Sequence, residues 1–385
     1  MIEIKDKAKC CGCSACRNAC PKSCIDMIAD HEGFLYPQVR KDECIACGVC
    51  ERVCHLLHDD KKNTGFSSTF YAAYNKADDA VLQTSSSGGV FWPLAEYMIG
   101  QGGVVYGAQL GENFQVAHSR AETLKACERF RRSKYLQSDL GDTFTLVRKD
   151  LKSGRKVLFS GVPCQVAALY RYLGTDHENL YTCDVICHGV PSKAVFDRFI
   201  AELNEKKNDR ATSICWRDKR NGWGPNHISI RFASGKELIT TSRENPYQTG
   251  FLDDLYLRPS CYACKDARLP RVSDIALADF WGYQGKLLEG NKNRGLSIVI
   301  TSSEKGNFLF EQIRSKLVYE PALKETVMEK SRCTHSAPMK NHYREKFFKE
   351  FHSGRSFASL TKKYIHLPFA KKMARKFRVR LLHEM

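Results

Sequence analysis

Ten of the chain's eighteen cysteines stand before residue 55, and eight of those ten repeat one spacing. Cys10, Cys13, Cys16 and Cys20, followed by Pro21, read C-x2-C-x2-C-x3-C-P; Cys44, Cys47, Cys50 and Cys54 repeat it 34 residues later, with His55 in place of the proline. Such short spacings let three thiolates of one tight loop grip three irons of a cubane cluster, while the fourth cysteine leaves on a helical turn and reaches a second cluster. A pair of zinc knuckles is the competing reading, because C-x2-C is also a zinc spacing. Zinc, however, needs neither the third cysteine at x2 nor the proline after the fourth. Cys11 and Cys24 fall outside the pattern and read as packed thiols.

A disulfide framework is another use for so many cysteines, but it needs an oxidising compartment. Met1 to Lys9 has no apolar core of an export signal, and no run approaches the roughly 18 uncharged apolar residues that span a bilayer. A soluble, cytoplasmic protein whose cysteines are metal ligands or redox groups is therefore expected. The doubled motif resembles bacterial two-cluster ferredoxins. That resemblance implies that Cys10, Cys13, Cys16 and Cys54 hold one [4Fe–4S] cluster and Cys44, Cys47, Cys50 and Cys20 the other, so that neither half folds alone. Gly33-Phe34-Leu35-Tyr36-Pro37 reads as a turn into a short covering strand. Two clusters make an electron wire, so a donor outside and an acceptor in the rest of the chain are expected.

Asp59 to Gly65 is a polar break suited to a linker. Beyond it strand and helix alternate: a strand at Phe70–Tyr74, serines and glycines at Thr84–Gly89, a helix at Val90–Ile99, and a strand at Val104–Ala108. The serines read either as helix caps or as a site where free N–H groups meet a phosphate or a flavin carbonyl. A strand at Lys156–Ser160 leads through Cys164 to a helix at Val166–Leu173, and a strand at Tyr181–Ile186 leads through Cys187 to a helix at Lys193–Asn204. Runs at Ser213–Arg217, His227–Ala233 and Leu296–Thr301 suggest further sheet, with helices at Lys305–Ser315 and Asn341–Glu350. The fold class expected is α+β/α/β: a small ferredoxin-like module over 1–60, a larger α/β domain with a mixed sheet over 66–330, and a basic helical tail over 338–385.

Cys164 and Cys187 follow strand ends, where open α/β sheets place ligands. With Cys261 and Cys264 they would complete a third [4Fe–4S] cluster; buried structural cysteines or a zinc site are the alternatives on spacing alone. Five segments in order, SGG at 87–89, SKYLQS at 133–138, SGVPCQVAAL at 160–169, CHGVPS at 187–192 and C-x2-C-x-D at 261–266, resemble the coenzyme F420 hydrogenase/dehydrogenase beta-subunit family. Members of that family are flavoproteins that hold FAD and one [4Fe–4S] cluster in an α/β body. The resemblance implies cluster ligation by Cys164, Cys187, Cys261 and Cys264, and FAD near Ser87, Gly88, Gly89, Lys134, Tyr135, Gln137, Ser138, Gly161 and Gln165. Lys134 would stabilise a reduced anionic ring or neutralise a pyrophosphate; a solvated lysine is the plain alternative. His188, His227, Asp218 and Asp279 lie in the motif regions, yet each reads more readily as a hydrogen-bonding structural group, so no catalytic acid is assigned.

The formal charge of +17 raises nucleic acid or an anionic membrane as partners. Three thiolate-bound clusters and a dinucleotide would cancel about half of it, so nucleic acid is not expected. From Lys362 on, Lys371, Lys372, Arg375, Lys376, Arg378 and Arg380 face an apolar row of Ile365, Phe369, Met373, Phe377 and Leu381, a basic amphipathic helix suited to a membrane's inner face or to protein docking. The function expected is an iron–sulfur flavoprotein oxidoreductase passing electrons from a ferredoxin-like redox partner through its clusters to FAD. The acceptor is a small molecule, deazaflavin or quinone-like compound left open by the sequence, with a link to surface polysaccharide synthesis carried by the resemblance. An electron-transfer subunit of a larger complex is the alternative, and a nucleic-acid-binding protein with structural clusters a weaker one.

Overall fold

The computed structural model describes residues 1–58, 65–76, 79–224, 226–291 and 293–365. Most of the polar break, and the tail residues from 366 on, lie outside the described residues. In the N-terminal segment, β1 (Ile25–Ala29) pairs antiparallel with β2 (Leu35–Val39) across a turn in which Gly33 takes φ +84, the left-handed conformation that glycine adopts without strain.

The body is an eight-stranded mixed sheet. Its strands are β3 (Thr69–Asn75), β4 (Val104–Leu110), β5 (Val116–Ala121), β6 (Val157–Gly161), β7 (Leu180–Val185), β11 (Ile275–Asp279), β12 (Ser297–Thr301) and β13 (Leu317–Pro321), in the order β13-β3-β12-β11-β7-β6-β4-β5. Strands β11, β7, β6 and β4 run parallel, and the pairings on either side of them are antiparallel. Parallel strands are buried on both faces, which is why these runs read as continuously apolar. Val104, Tyr106, Val157, Phe159 and Leu180 turn to one face, under helices Thr143–Lys152 and Pro163–Leu173. Val105, Leu158 and Tyr181 turn to the other, under helices Phe91–Gly100 and Glu304–Ile313.

Ala15 and Val53 join the first of these two clusters, so the cysteine-rich segment docks on the same face as helix Pro163–Leu173. The further sheet expected near 213–233 is a separate layer: β8 (Ala211–Asp218), β9 (His227–Phe232) and β10 (Glu237–Thr241), antiparallel in the order β10-β9-β8. Its apolar side, Ile214, Trp216, Ile228 and Ile230, packs with helix Lys193–Lys207 and with Phe347, Phe351, Phe357 and Leu360 of helices Arg344–His352 and Phe357–Tyr364. Helix Pro163–Leu173 starts three residues before its expected position, because Pro163 suits a first helical turn and Gln165 accepts from the Val162 N–H at 3.0 Å. Cys164 thus sits on a helical turn and not in a loop.

Candidate functional site

Each cysteine motif has the same local backbone. Gly12 and Ala46 precede its second cysteine with φ 69 and 53, and Ser14 and Gly48 follow it with φ 58 and 71. These left-handed residues curl each loop before the short helices Ala15–Ala19 and Val49–Arg52. The two quartets line two cavities crosswise. Cys10, Cys13, Cys16 and Cys54 line one of about 340 Å³ together with His55. Cys20, Cys44, Cys47 and Cys50 line another of about 350 Å³ together with Cys24. Burial pushes the Cys10 and Cys16 thiols up to about 11 and about 12, so they ionise only when a cation takes the thiolate. The four motif thiols around each space, with Cys11 beside one set and Cys24 beside the other, fit a [4Fe–4S] cluster, and Ile2 N–H donates to the Cys50 sulfur at 3.3 Å.

Cys11 marks the junction between segment and body. Hydrogen bonds from Cys13 and Cys164 hold its thiol well below the usual value. Cys11, Cys13 and His55 keep their ligand atoms within 4.8 Å of one another, all buried. His55 is 1% exposed, and its Nε2 lies 3.4 Å from Asp266 Oδ2. Burial opposes its protonation, but the Cys11 sulfur and the Asp266 carboxylate outweigh that and raise its pKa. Lys265 donates to the carbonyls of His55 and His58. The C-x2-C-x-D segment therefore clasps the turn after Cys54, a role its spacing did not reveal.

The body cysteines converge on the other side of this junction. Cys164 is coupled electrostatically to Cys11 and Cys264, and Cys187 to Cys261 and Cys264. Burial raises the Cys187 thiol and pushes Cys261 and Cys264 up to about 11 and about 12. Val190 N–H, from the loop after Cys187, donates to the Cys261 sulfur at 3.3 Å. The donor set is again four thiols, with Cys11 as a fifth beside it.

The residues expected near FAD gather around the 133–138 loop but spend their side chains on protein partners. Ser133 meets Ser86 (Oγ to Oγ 2.9 Å), Ser87 donates to the Leu296 carbonyl, and Gly88 N–H donates to Ser297 at 3.0 Å. None of these serines caps helix Phe91–Gly100, whose first turn carries no side-chain cap. Gly88 and Gly89 belong to this same turn, beside Ala73 and Asn75. Lys134 donates to the carbonyls of Arg129 and Arg131 at 3.0 and 2.8 Å, and burial lowers its ammonium to about 7. Gln137 donates to the Cys11 carbonyl at 2.8 Å, while Ser138 joins His118 (2.9 Å) to Gln165 (3.0 Å) beside Gly161. One loop thus ties the SGG turn, the end of β6 and the cysteine-rich segment together.

Tyr135 borders a corner of buried arginine and lysine that sequence reading missed. Arg217, 3% exposed, donates to the Ser86 carbonyl at 2.8 Å and to Asp279 at 3.0 Å, with Tyr135 Oη 3.5 Å away. Lys219 binds the Leu82, Ser87 and Arg294 carbonyls, and burial lowers it to about 7. Trp223 and Trp281 stack beside them with centroids 4.0 Å apart. Of the four polar residues in motif regions, Asp279 reaches this corner through Arg217. Asp218 pairs with Arg220, His227 lies in β9, and His188 sits between Asp254 (2.8 Å) and Cys333 (4.0 Å). Arg258, also unforeseen, is wholly buried against Cys10 and Gln137. Arginines have no diagnostic spacing, so only packing exposes such roles.

Among solved structures, a chain of the F420-reducing [NiFe] hydrogenase complex from Methanosarcina barkeri is 15% identical and covers 77% of this chain and 97% of its own length, at a TM-score of 0.48. A ferredoxin from Mycolicibacterium smegmatis is 33% identical over 91 residues, 23% of this chain and 71% of that protein. Residues 154–325, which carry Cys164, Cys187, Cys261 and Cys264, match the family model for the C terminus of the coenzyme F420 hydrogenase/dehydrogenase beta subunit. Through this segment the chain belongs to the coenzyme F420 hydrogenase/dehydrogenase beta-subunit family.

Proposed function

We propose that the chain is an iron–sulfur flavoprotein oxidoreductase that takes single electrons from a ferredoxin-like partner and delivers them in pairs to a small-molecule acceptor. Residues 1–60 are its entry module and 66–330 its reaction body. The observation that carries this reading is a file of thiols: exposed Cys47 with Cys20, Cys44 and Cys50; then Cys10, Cys13, Cys16 and Cys54; then Cys11; then Cys164, Cys187, Cys261 and Cys264. A structural metal site needs four ligands and no such continuation. Bound there, [4Fe–4S] clusters supply one-electron transfer, and FAD beside the 133–138 loop supplies two-electron exchange.

The chain's own residues supply position and environment. Gln137 and Lys265 lock the entry module to the body, burial keeps water from the junction, and Arg217 and Lys219 hold the carbonyls of Ser86 and Ser87 in place. Among the described residues no helix is long and apolar enough to cross a membrane. Iron, acid-labile sulfide and flavin content of anaerobically purified protein tests the reading: about twelve irons and one FAD per chain are expected. Eight irons without flavin would confine the chemistry to the entry module. Oxidation of reduced ferredoxin with quinone-like, deazaflavin and glycan-precursor acceptors then identifies the acceptor class.

A further inference from the structure

Among the described residues four arginines are buried, and three have carboxylate partners: Arg217 with Asp279, Arg271 with Asp184, and Arg344 with Glu32. Arg258, at 0% exposure, has none among the described residues. Its guanidinium donates to the carbonyls of Cys10 (2.8 Å) and Leu35 (2.7 Å) and to Gln137 Oε1 (3.1 Å), and lies 3.7 Å from the Cys10 sulfur. The rings of Tyr36 and Phe34 flank it at 4.4 and 5.6 Å. Gly12 makes the room: a Cβ there would stand 2.8 Å from the guanidinium. Carbonyl dipoles and ring faces offset only part of the cost of burying a full charge, which calls for an anion.

We infer that Arg258 is the counter-ion of the cluster held by Cys10, Cys13, Cys16 and Cys54, and that it makes this the higher in potential of the two N-terminal clusters. The inference rests on the cluster assignment proposed above. A thiolate-ligated cluster is anionic, and its one-electron reduction adds one negative charge beside the guanidinium. A fixed buried cation therefore stabilises the reduced form more than the oxidised form. The other cavity has Lys22 and Met1 in its lining: Lys22 is exposed to solvent, where water and salt screen it, and the Met1 ammonium pairs with Glu51 at 3.3 Å. Electrons entering at the cavity of exposed Cys47 thus run downhill toward Cys11 and the body.

The test is a potentiometric titration of full-length protein followed by the electron paramagnetic resonance of its reduced clusters. Arg258→Gln keeps a hydrogen-bond donor without the charge; Arg258→Lys keeps the charge. At the unaltered midpoint, Arg258→Gln should raise the oxidised-to-reduced ratio of one cluster at least tenfold, a fall of about 59 mV for a one-electron couple. Arg258→Lys should stay within threefold. Equal shifts in both variants, or none in either, would overturn the inference. Loss of iron from the Gln variant alone also supports a need for charge, whereas loss from both makes the residue structural and overturns it. Iron and sulfide in the unaltered protein are measured beside these, so absence of the cluster itself is read separately as failure of the proposed function.

Discussion

Glu32, in the turn between β1 and β2, meets Arg344 at the start of helix Arg344–His352 in a two-pronged ion pair with side-chain exposures of 10% and 6%. Arg344 Nε also donates to the Leu257 carbonyl at 3.0 Å. Replacing Arg344 by Met leaves a carboxylate buried beside an apolar side chain. Breaking a buried pair from one side costs about 3–5 kcal/mol, because the remaining charge is desolvated without compensation. Each 1.4 kcal/mol is a factor of ten, so local opening of the hairpin and helix should become roughly a hundredfold to a few thousandfold more frequent. Hydrogen exchange with peptide-resolved mass spectrometry reads this as faster exchange over residues 25–39 and 344–352, with the central strands unchanged. The double variant Glu32→Leu, Arg344→Met removes both charges and should recover most of the protection. Exchange within threefold of the unaltered protein in Arg344→Met, or a double variant as exposed as the single, would refute the reasoning.

His118 is held neutral by burial, its pKa lowered to about 4 between Ser160 and Ser138. The unfolded chain binds this proton below about pH 6.5 and the native state does not, so the contribution is full above that pH and lost as pH falls toward 4. Between pH 7 and 5 the loss is about 2 kcal/mol, and His118→Gln should flatten that part of the Tm profile; parallel profiles would remove His118 from the account. Gly88→Ala places a Cβ 2.4 Å from the Ala73 carbonyl and 2.9 Å from the Ser297 nitrogen, both backbone atoms of the sheet. It should cost about 1–3 kcal/mol or more, whereas Gly100→Ala meets nothing within 4 Å at a helix end and should gain a few tenths, as urea midpoints will show. Residues up to Tyr364 pack into the core, so the membrane reading of the basic tail is tested by truncation after Ile365. Salt-sensitive sedimentation with anionic liposomes should disappear in the truncated chain; retained binding would assign it elsewhere on the surface.

Much of the site was legible because its chemistry imposes spacing. Thiolates gripping one object from one loop must recur at short fixed intervals, so Cys10 to Cys54 resolve into two quartets on spacing alone. The central strands were legible for a similar reason: burial on both faces leaves apolar runs at Val104–Ala108, Lys156–Ser160 and Tyr181–Ile186. β5, β10 and β13 and the helices Thr143–Lys152 and Pro246–Leu252 were not foreseen, and neither was β11, although it lies inside the sheet. Edge strands and short helices carry mixed patterns that tertiary contacts decide.

By itself the sequence determined the doubled cysteine spacing and the alternating α/β body, since each follows from chemistry or periodicity local to the chain. Tertiary structure alone decided which groups meet across long separations. It set Cys11 against Cys164, His55 against Asp266, Gln137 on the Cys11 carbonyl and Arg258 beside the Cys10 sulfur. It also gave the residues expected near a flavin hydrogen bonds that fasten three segments of the chain together. A hydrogen bond or a buried charge has no period along the chain; its partner is fixed by which surfaces pack, and that is settled only when the apolar faces of the whole molecule close on one another.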